Sequence, residues 1–102
     1  TISITLGGEI KTVNYWAFNL EYNDLVVNVD NPSGIEVNKF LLKRKSYNTE
    51  FETIAEFTSS ELVSGVYTYS DRYVQQDKYY TYYVAAVDGN GVEIAVSNEK
   101  SL

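Results

Sequence analysis

The sequence predicts an all-β sandwich built from seven short strands. Apolar and polar residues alternate in short runs, and turn-forming residues separate these runs at intervals of about ten residues. Apolar residues make up 44% of the 102 residues and aromatic residues 15%, whereas proline occurs once and no stretch has a convincing helical period. A chain of this length buries roughly two-thirds of its unfolded surface, which is enough for one domain with one core.

The N-terminal segment alternates first and is then interrupted. Ile2, Ile4 and Leu6 alternate with polar residues until Gly7-Gly8, which predicts a short strand followed by a turn. Periodicity alone leaves two interpretations open, an added N-terminal hairpin or the end of a linker from a preceding domain.

The seven sandwich strands follow in order. In the first strand Trp16, Phe18 and Leu20 share one face, and residues 21–24 form the next turn. The second strand ends at the turn formers Asn31-Pro32-Ser33-Gly34. The predicted strands are residues 15–20, 25–29, 37–45, 51–57, 66–70, 79–87 and 92–96.

The second half of the chain carries motifs at spacings typical of a known family. They are Tyr69-Ser70-Asp71, Val74, residues 80–88, Gly91 and Ser97-Asn98. In this order they resemble the C-terminal half of a fibronectin type III domain, and the resemblance extends back to about residue 18. It implies a seven-stranded immunoglobulin-like sandwich in which Phe40 and Leu42 face the core. It also implies that Tyr80 is a buried corner tyrosine whose hydroxyl bonds to backbone, and that Tyr82, Val84 and Ala86 share its inward face.

We expect the chain to divide after residue 11. Residues 12–102 correspond to the fibronectin type III-like domain, and residues 1–11 to an extra strand or a linker from a preceding domain. The chain begins at Thr1 without methionine, so we expect a segment of a longer protein.

Charge disfavours two classes of partner. The formal net charge is −6, and nucleic acid and anionic lipid both require clustered cations. The run Lys43-Arg44-Lys45 alternates between the two faces of a strand and is interpreted as a solvated strand end. No stretch approaches the roughly 20 apolar residues that a membrane-spanning helix needs. We therefore expect neither nucleic-acid binding nor membrane insertion.

The residue types also argue against catalysis and cofactors. Histidine and cysteine are absent, which removes the usual general base, the thiolate nucleophile and the common zinc ligands. The segment Asp88-Gly89-Asn90-Gly91 has the ingredients of a calcium loop but lacks its twelve-residue spacing, so a hairpin turn is the favoured interpretation. We expect no catalytic residue, no metal and no cofactor.

One face of the predicted sandwich carries tyrosines beside lysines. Lys39, Leu41 and Lys43 on the third strand and Tyr79 and Tyr83 on the sixth have outward parity. This pattern fits a plain solvated sheet stabilised by cross-strand pairs, with Tyr83 as a surface residue. It also fits an interaction face, because tyrosine is enriched at binding hot spots.

These observations support two hypotheses about function. The first is a non-catalytic spacer and interaction module of a larger bacterial surface, secreted or phage-particle protein, with neighbouring domains as partners and an extracellular, cell-surface or virion location. The alternative is a carbohydrate-binding module in which Tyr79 and Tyr83, with Tyr47 or Tyr73, stack on sugar rings.

Overall fold

The computed structural model describes residues 2–72, 74 and 79–102, apart from the side chains of residues 15, 18 and 19. The described residues form eight strands and one 3-10 turn, Ser59–Glu61. No helix among them is long and apolar enough to cross a membrane. The strands are β1 (Ser3–Tyr15), β2 (Phe18–Asp30), β3 (Lys39–Ser46), β4 (Glu52–Phe57), β5 (Val66–Asp71), β6 (Tyr80–Val87), β7 (Glu93–Val96) and β8 (Lys100–Ser101).

Two antiparallel sheets form the predicted immunoglobulin-like sandwich, which is therefore confirmed. Sheet A has the strand order β1-β2-β5, and sheet B has the order β4-β3-β6-β7. The short strand β8 also pairs with β6, so the end of the chain belongs to sheet B. β3 and β6 are the two central strands of sheet B, and both edges of each are hydrogen-bonded to neighbours.

The core contains the side chains that the sequence assigns to it. Phe40 and Leu42 of β3 are buried, and β6 contributes every second residue from Tyr80 to Ala86. Stacked rings join the two sheets, because Phe57 lies 5.0 Å from Phe40 and 3.9 Å from Tyr67 between ring centroids. Tyr80 is buried as expected, while the predicted bond of its hydroxyl to backbone stays a prediction.

The prediction that residues 15–20 form the first sandwich strand is wrong. The chain reverses at Trp16-Ala17, so these residues form the tip of a hairpin between β1 and β2. Trp16 is fully exposed instead of facing a core, and the predicted turn at residues 21–24 lies inside β2. The alternation correctly indicated strand residues on both sides of the reversal. The reversal itself lacks the Asn-Gly or Asp-Gly pair that usually marks a two-residue hairpin turn.

The predicted turn at Gly7-Gly8 is also wrong, because both glycines lie inside β1. A Cβ atom on Gly8 would lie 2.7 Å from the backbone oxygen of Asp24. The glycine therefore permits a close approach of β1 to β2 and does not mark a change of direction.

β1 is one continuous strand across the predicted boundary at residue 11. Ile4 and Leu6 belong to the same buried cluster as Phe40 and Leu42, so the N-terminal residues pack on the sandwich core. The expectation that residues 1–11 join a preceding domain stays a prediction.

The side chain of Asn98 holds the free edge of β1 against the rest of the sandwich. Its Oδ1 accepts a hydrogen bond from the Leu6 N–H at 2.8 Å, and its Nδ2 donates to the Leu6 carbonyl at 3.0 Å. The amide thus replaces a neighbouring strand at this position.

We expect Asn98→Ala to lower the free energy of unfolding by about 1–3 kcal/mol, because it leaves the backbone groups of buried Leu6 without these partners. Urea denaturation measures the change. Asn90→Ala is the matched control at an exposed turn, with an expected change within about 0.5 kcal/mol. Equal midpoints for the two variants would contradict the role of Asn98.

Candidate functional site

The predicted interaction face lies on the outer surface of sheet B. In the register of β3 and β6, Lys39 pairs with Val87, Leu41 with Ala85, and Lys43 with Tyr83. Because their sequence neighbours face the core, these side chains point away from it. The structure therefore brings together Lys39, Leu41, Lys43 and Tyr83 and adds Lys45, which together we call the cationic face. Its role in binding stays a prediction.

The three lysines of the cationic face have different surroundings. Lys39 Nζ lies 2.6 Å from Glu56 Oε1. Lys45 Nζ lies 5.1 Å from the centre of the Phe51 ring, which is a cation–π contact. Within the described part of the chain, Lys43 has no carboxylate within salt-bridge distance. Of the three lysines of the cationic face, Lys43 is therefore the one with neither an ion pair nor a cation–π contact among the described residues.

The aromatic side chains of this region differ in exposure. Tyr83 is half-buried, because its ring meets Phe51 edge-on with 4.7 Å between centroids. Tyr79 is 77% exposed just before β6, and Tyr47 is 94% exposed just after β3. Because Ser46 and Tyr80 are the last pair of β3 and β6, Tyr47 and Tyr79 lie at the same end of the sheet. Tyr73, the remaining aromatic candidate, lies outside the described residues.

The segment Asp88–Gly91 forms the predicted hairpin turn. Asp88 Oδ1 accepts hydrogen bonds from the backbone N–H groups of Asn90, at 2.9 Å, and Val92, at 3.0 Å. Gly91 has a φ of +78°, which an L residue rarely adopts. The carboxylate of Asp88 thus stabilises the turn itself.

Sequence reasoning missed a buried polar cluster between the sheets. Asp71 is 1% exposed, and both of its carboxylate oxygens accept bonds from Arg44 Nη1, at 2.9 and 3.1 Å. The Tyr82 hydroxyl donates to Asp71 Oδ2 at 2.7 Å and accepts from Asn23 Nδ2 at 2.8 Å. We call Asn23, Arg44, Asp71 and Tyr82 the inter-sheet network, because they come from β2 and β5 of sheet A and from β3 and β6 of sheet B.

The electrostatics of the inter-sheet network favour a charged Arg44 and a neutral Tyr82. Desolvation of Arg44 opposes its charge, but hydrogen bonds and charge attraction from Asp71 outweigh it, so the pKa of Arg44 is raised. Desolvation also raises the pKa of Tyr82 well above its usual value. Every side chain of the network thus has a partner, and the arrangement is one that stabilises the fold.

A sequence signal for this network existed in the run Lys43-Arg44-Lys45. Alternation places Arg44 on the opposite face from its two neighbours, and that face is the core. The Arg44 side chain is only 16% exposed and bonds to the buried carboxylate of Asp71, so the solvated-strand interpretation is wrong for Arg44.

Comparisons with known proteins identify the fold. No family model matches the chain, and no curated protein sequence matches it. Pectate lyase PelI from Erwinia chrysanthemi, solved in complex with tetragalacturonic acid, has a TM-score of 0.56 at 18% identity over 97% of this chain and 28% of that chain. Pectate lyase Pel3 from Pectobacterium carotovorum has a TM-score of 0.57 at 20% identity over 97% of this chain and 26% of that chain.

A fibronectin type III-like protein from Clostridium thermocellum is also similar, with a TM-score of 0.49 at 28% identity over 78% of this chain and 74% of that chain. The chain spans about a quarter of the length of the lyases. At these identities the lyase comparisons establish the sandwich fold alone.

We expect the free energy of unfolding to fall as pH rises above about 10, the pKa of an unperturbed tyrosine. The unfolded chain ionises at that pH, whereas folded Tyr82 stays neutral because its pKa is raised, so ionisation favours the unfolded state. Urea titrations at neutral and alkaline pH measure the fall, which should be smaller in Tyr82→Phe. An identical fall in wild type and Tyr82→Phe would contradict the contribution of Tyr82.

Proposed function

We propose that this chain is a non-catalytic structural spacer and protein-interaction module of a larger bacterial surface, secreted or phage-particle protein. The observation that carries the proposal is the set of hydrogen bonds that Asp71 makes between the two sheets. This buried carboxylate is bonded to Arg44 and Tyr82 and serves to join the two sheets. A carboxylate engaged in this way contributes to a rigid body, which is what a spacer requires.

The shape and the comparisons support the same proposal. The molecule is elongated, with principal extents of 49 × 31 × 18 Å. In the two pectate lyases a segment with this fold makes up about a quarter of a longer chain. The partners under this proposal are neighbouring domains of the parent protein, and its location is extracellular, on a cell surface or in a virion.

A second candidate function is binding of an acidic carbohydrate at the cationic face. Lys43 lacks a carboxylate partner in the described chain, and exposed Tyr47 and Tyr79 lie at one end of the same sheet. Lysines beside aromatic rings suit a ligand with both carboxylates and flat apolar sugar faces. PelI was solved with tetragalacturonic acid, a ligand of this kind, which makes it the first compound to test.

A melting-temperature screen separates the two functions, because a ligand raises the stability of the native state by RT ln(1 + [L]/Kd). As a spacer, the chain should show no shift with calcium, magnesium, neutral oligosaccharides or tetragalacturonic acid. A shift of several degrees with calcium would contradict the spacer proposal.

The second candidate predicts a shift with tetragalacturonic acid alone among these compounds. The shift should disappear in Lys43→Gln and in Tyr79→Ala. Lys100→Gln removes the same charge from β8 and is the matched control that keeps the shift. A shift equally reduced in both lysine variants would indicate general charge attraction and contradict a site at the cationic face.

A further inference from the structure

The hairpin of β1 and β2 extends beyond the sandwich as a two-stranded arm. β5 pairs with β2 only from Asn23 to Asn28, whereas β1 pairs with β2 from Ser3 to the tip. Beyond the pair of Ile10 and Asn23, residues 11–22 therefore form a ribbon without a third strand among the described elements. We call residues 10–22, which include the base of this ribbon, the arm. A two-stranded ribbon is marginally stable in water, so further pairing would stabilise the arm.

The arm has an open backbone edge along β1. Residues of an antiparallel strand direct their N–H and C=O groups alternately toward and away from the partner strand. Leu6 directs both groups away from β2, because both bond to the side chain of Asn98. The register runs without a bulge to the tip, so Ile10, Thr12 and Asn14 direct theirs the same way.

The edge of β1 has a hydrogen-bond partner at Leu6 but none along the arm among the described residues. The Asn98 amide covers the edge at Leu6, where β1 lies against the sandwich. Along the arm, the outward backbone groups of Ile10, Thr12 and Asn14 have no hydrogen-bond partner in the part of the chain that the structure describes. Proline and bulges, two of the devices that block pairing at an edge, are absent from this segment, and its lysine, Lys11, is paired with Glu9 and Asp24.

We propose that this edge pairs with the same edge of a second copy of the chain. The two β1 strands run antiparallel about a two-fold axis at Thr12, which pairs Thr12 with Thr12 of the second copy. Ile10 then pairs with Asn14 of the second copy, and the reverse. All of these residues direct backbone groups to the open edge, so about six hydrogen bonds form between the copies. The arms become one four-stranded sheet in the order β2-β1-β1-β2.

The charge pattern of the arm permits this pairing. Residues 12–20 contain no charged side chain, and Lys11 lies opposite Val13 of the second copy. The two copies of Lys11 lie diagonally across the axis, but each contacts Glu9 at 3.4 Å and Asp24 at 3.3 Å within its own chain. No like charges therefore lie directly opposite each other.

The net charge of −6 does not prevent the two bodies from approaching in this way. Gly8 and Gly8 of the second copy are separated by eight residues of strand, or about 27 Å. This distance exceeds the Debye length of about 8 Å at physiological ionic strength, so repulsion between the bodies is screened. A membrane is a poorer occupant, because the arm lacks the unpaired basic residues of interfacial segments.

Sedimentation equilibrium of the 102-residue chain from about 1 µM to about 1 mM tests the proposal. The expected result is a concentration-dependent rise of the mass from 11.6 kDa to twice that value. Thr12→Lys places two lysines directly opposite each other in the dimer and should abolish the rise. In the monomer the new lysine faces Glu21, so the fold is preserved. A mass of 11.6 kDa at every concentration would overturn the proposal.

Thr68→Lys is the matched control, because it adds the same charge at an exposed position of β5 outside the arm. It should dimerise like wild type. A dimer that persists in Thr12→Lys, or one that is lost equally in both variants, would overturn the assignment of the interface to the arm.

A cysteine cross-link tests the register directly, since the chain has no cysteine of its own. Directly opposite residues of this kind have Cα atoms about 5.5 Å apart, within the range of a disulfide. Thr12→Cys should therefore form a covalent dimer under mild oxidation much faster than Thr68→Cys. Equal rates for the two variants would contradict the two-fold axis at Thr12.

Discussion

The ion pair between Arg44 and Asp71 is the interaction on which the arrangement of the two sheets depends. Asp71 lies at the end of β5 in sheet A, and Arg44 lies on β3 in sheet B. Removing two charges from water is costly, and the cost is recovered only if the remaining bonding positions are filled. Here Tyr82 fills one of them, and Asn23 in turn bonds to Tyr82. The network therefore favours one relative position of four strands over the alternatives that apolar packing alone would permit.

Two surfaces follow from this fixed position. On the outer side of sheet B, the strand that directs Arg44 inward necessarily directs Lys43 and Lys45 outward, so the buried ion pair and the cationic face share one cause. In sheet A, the pairing of β2 with β5 stops at Asn23 and Asp71, which are both residues of the inter-sheet network. Beyond that level only the pairing of β1 with β2 continues, and the arm begins.

The sequence predicted those parts of the molecule that alternation alone determines. The inward faces of β3 and β6 follow from Phe40, Leu42 and Tyr82. When side chains alternate between two faces and only one face is apolar, that face must be the one turned to the core. The same reasoning placed Lys39, Leu41, Lys43 and Tyr83 together on the outer face. The half-burial of Tyr83 depends on Phe51, which lies just before β4 and therefore two strands away in sheet B, so the alternation within β6 could not predict this contact.

The sequence could not show the arm or the network for different physical reasons. The reversal at Trp16-Ala17 is made by residues that are not typical turn formers, so the two long strands β1 and β2 were interpreted as three short strands separated by turns. The network joins Arg44 to a carboxylate 27 residues away, on the other sheet. Its pairing becomes visible only when both sheets are in position.

A double-mutant cycle on Arg44 and Asp71 tests the central claim most directly. Urea denaturation of Arg44→Met, Asp71→Asn and the double variant gives the coupling energy between the two side chains. We expect Arg44→Met to cost about 3–5 kcal/mol, because it leaves a buried carboxylate without its counter-charge, and the double variant to cost less than the sum of the singles by about 2 kcal/mol or more. Additive single changes, with a coupling below about 0.5 kcal/mol, would contradict the claim that this ion pair holds the sheets together.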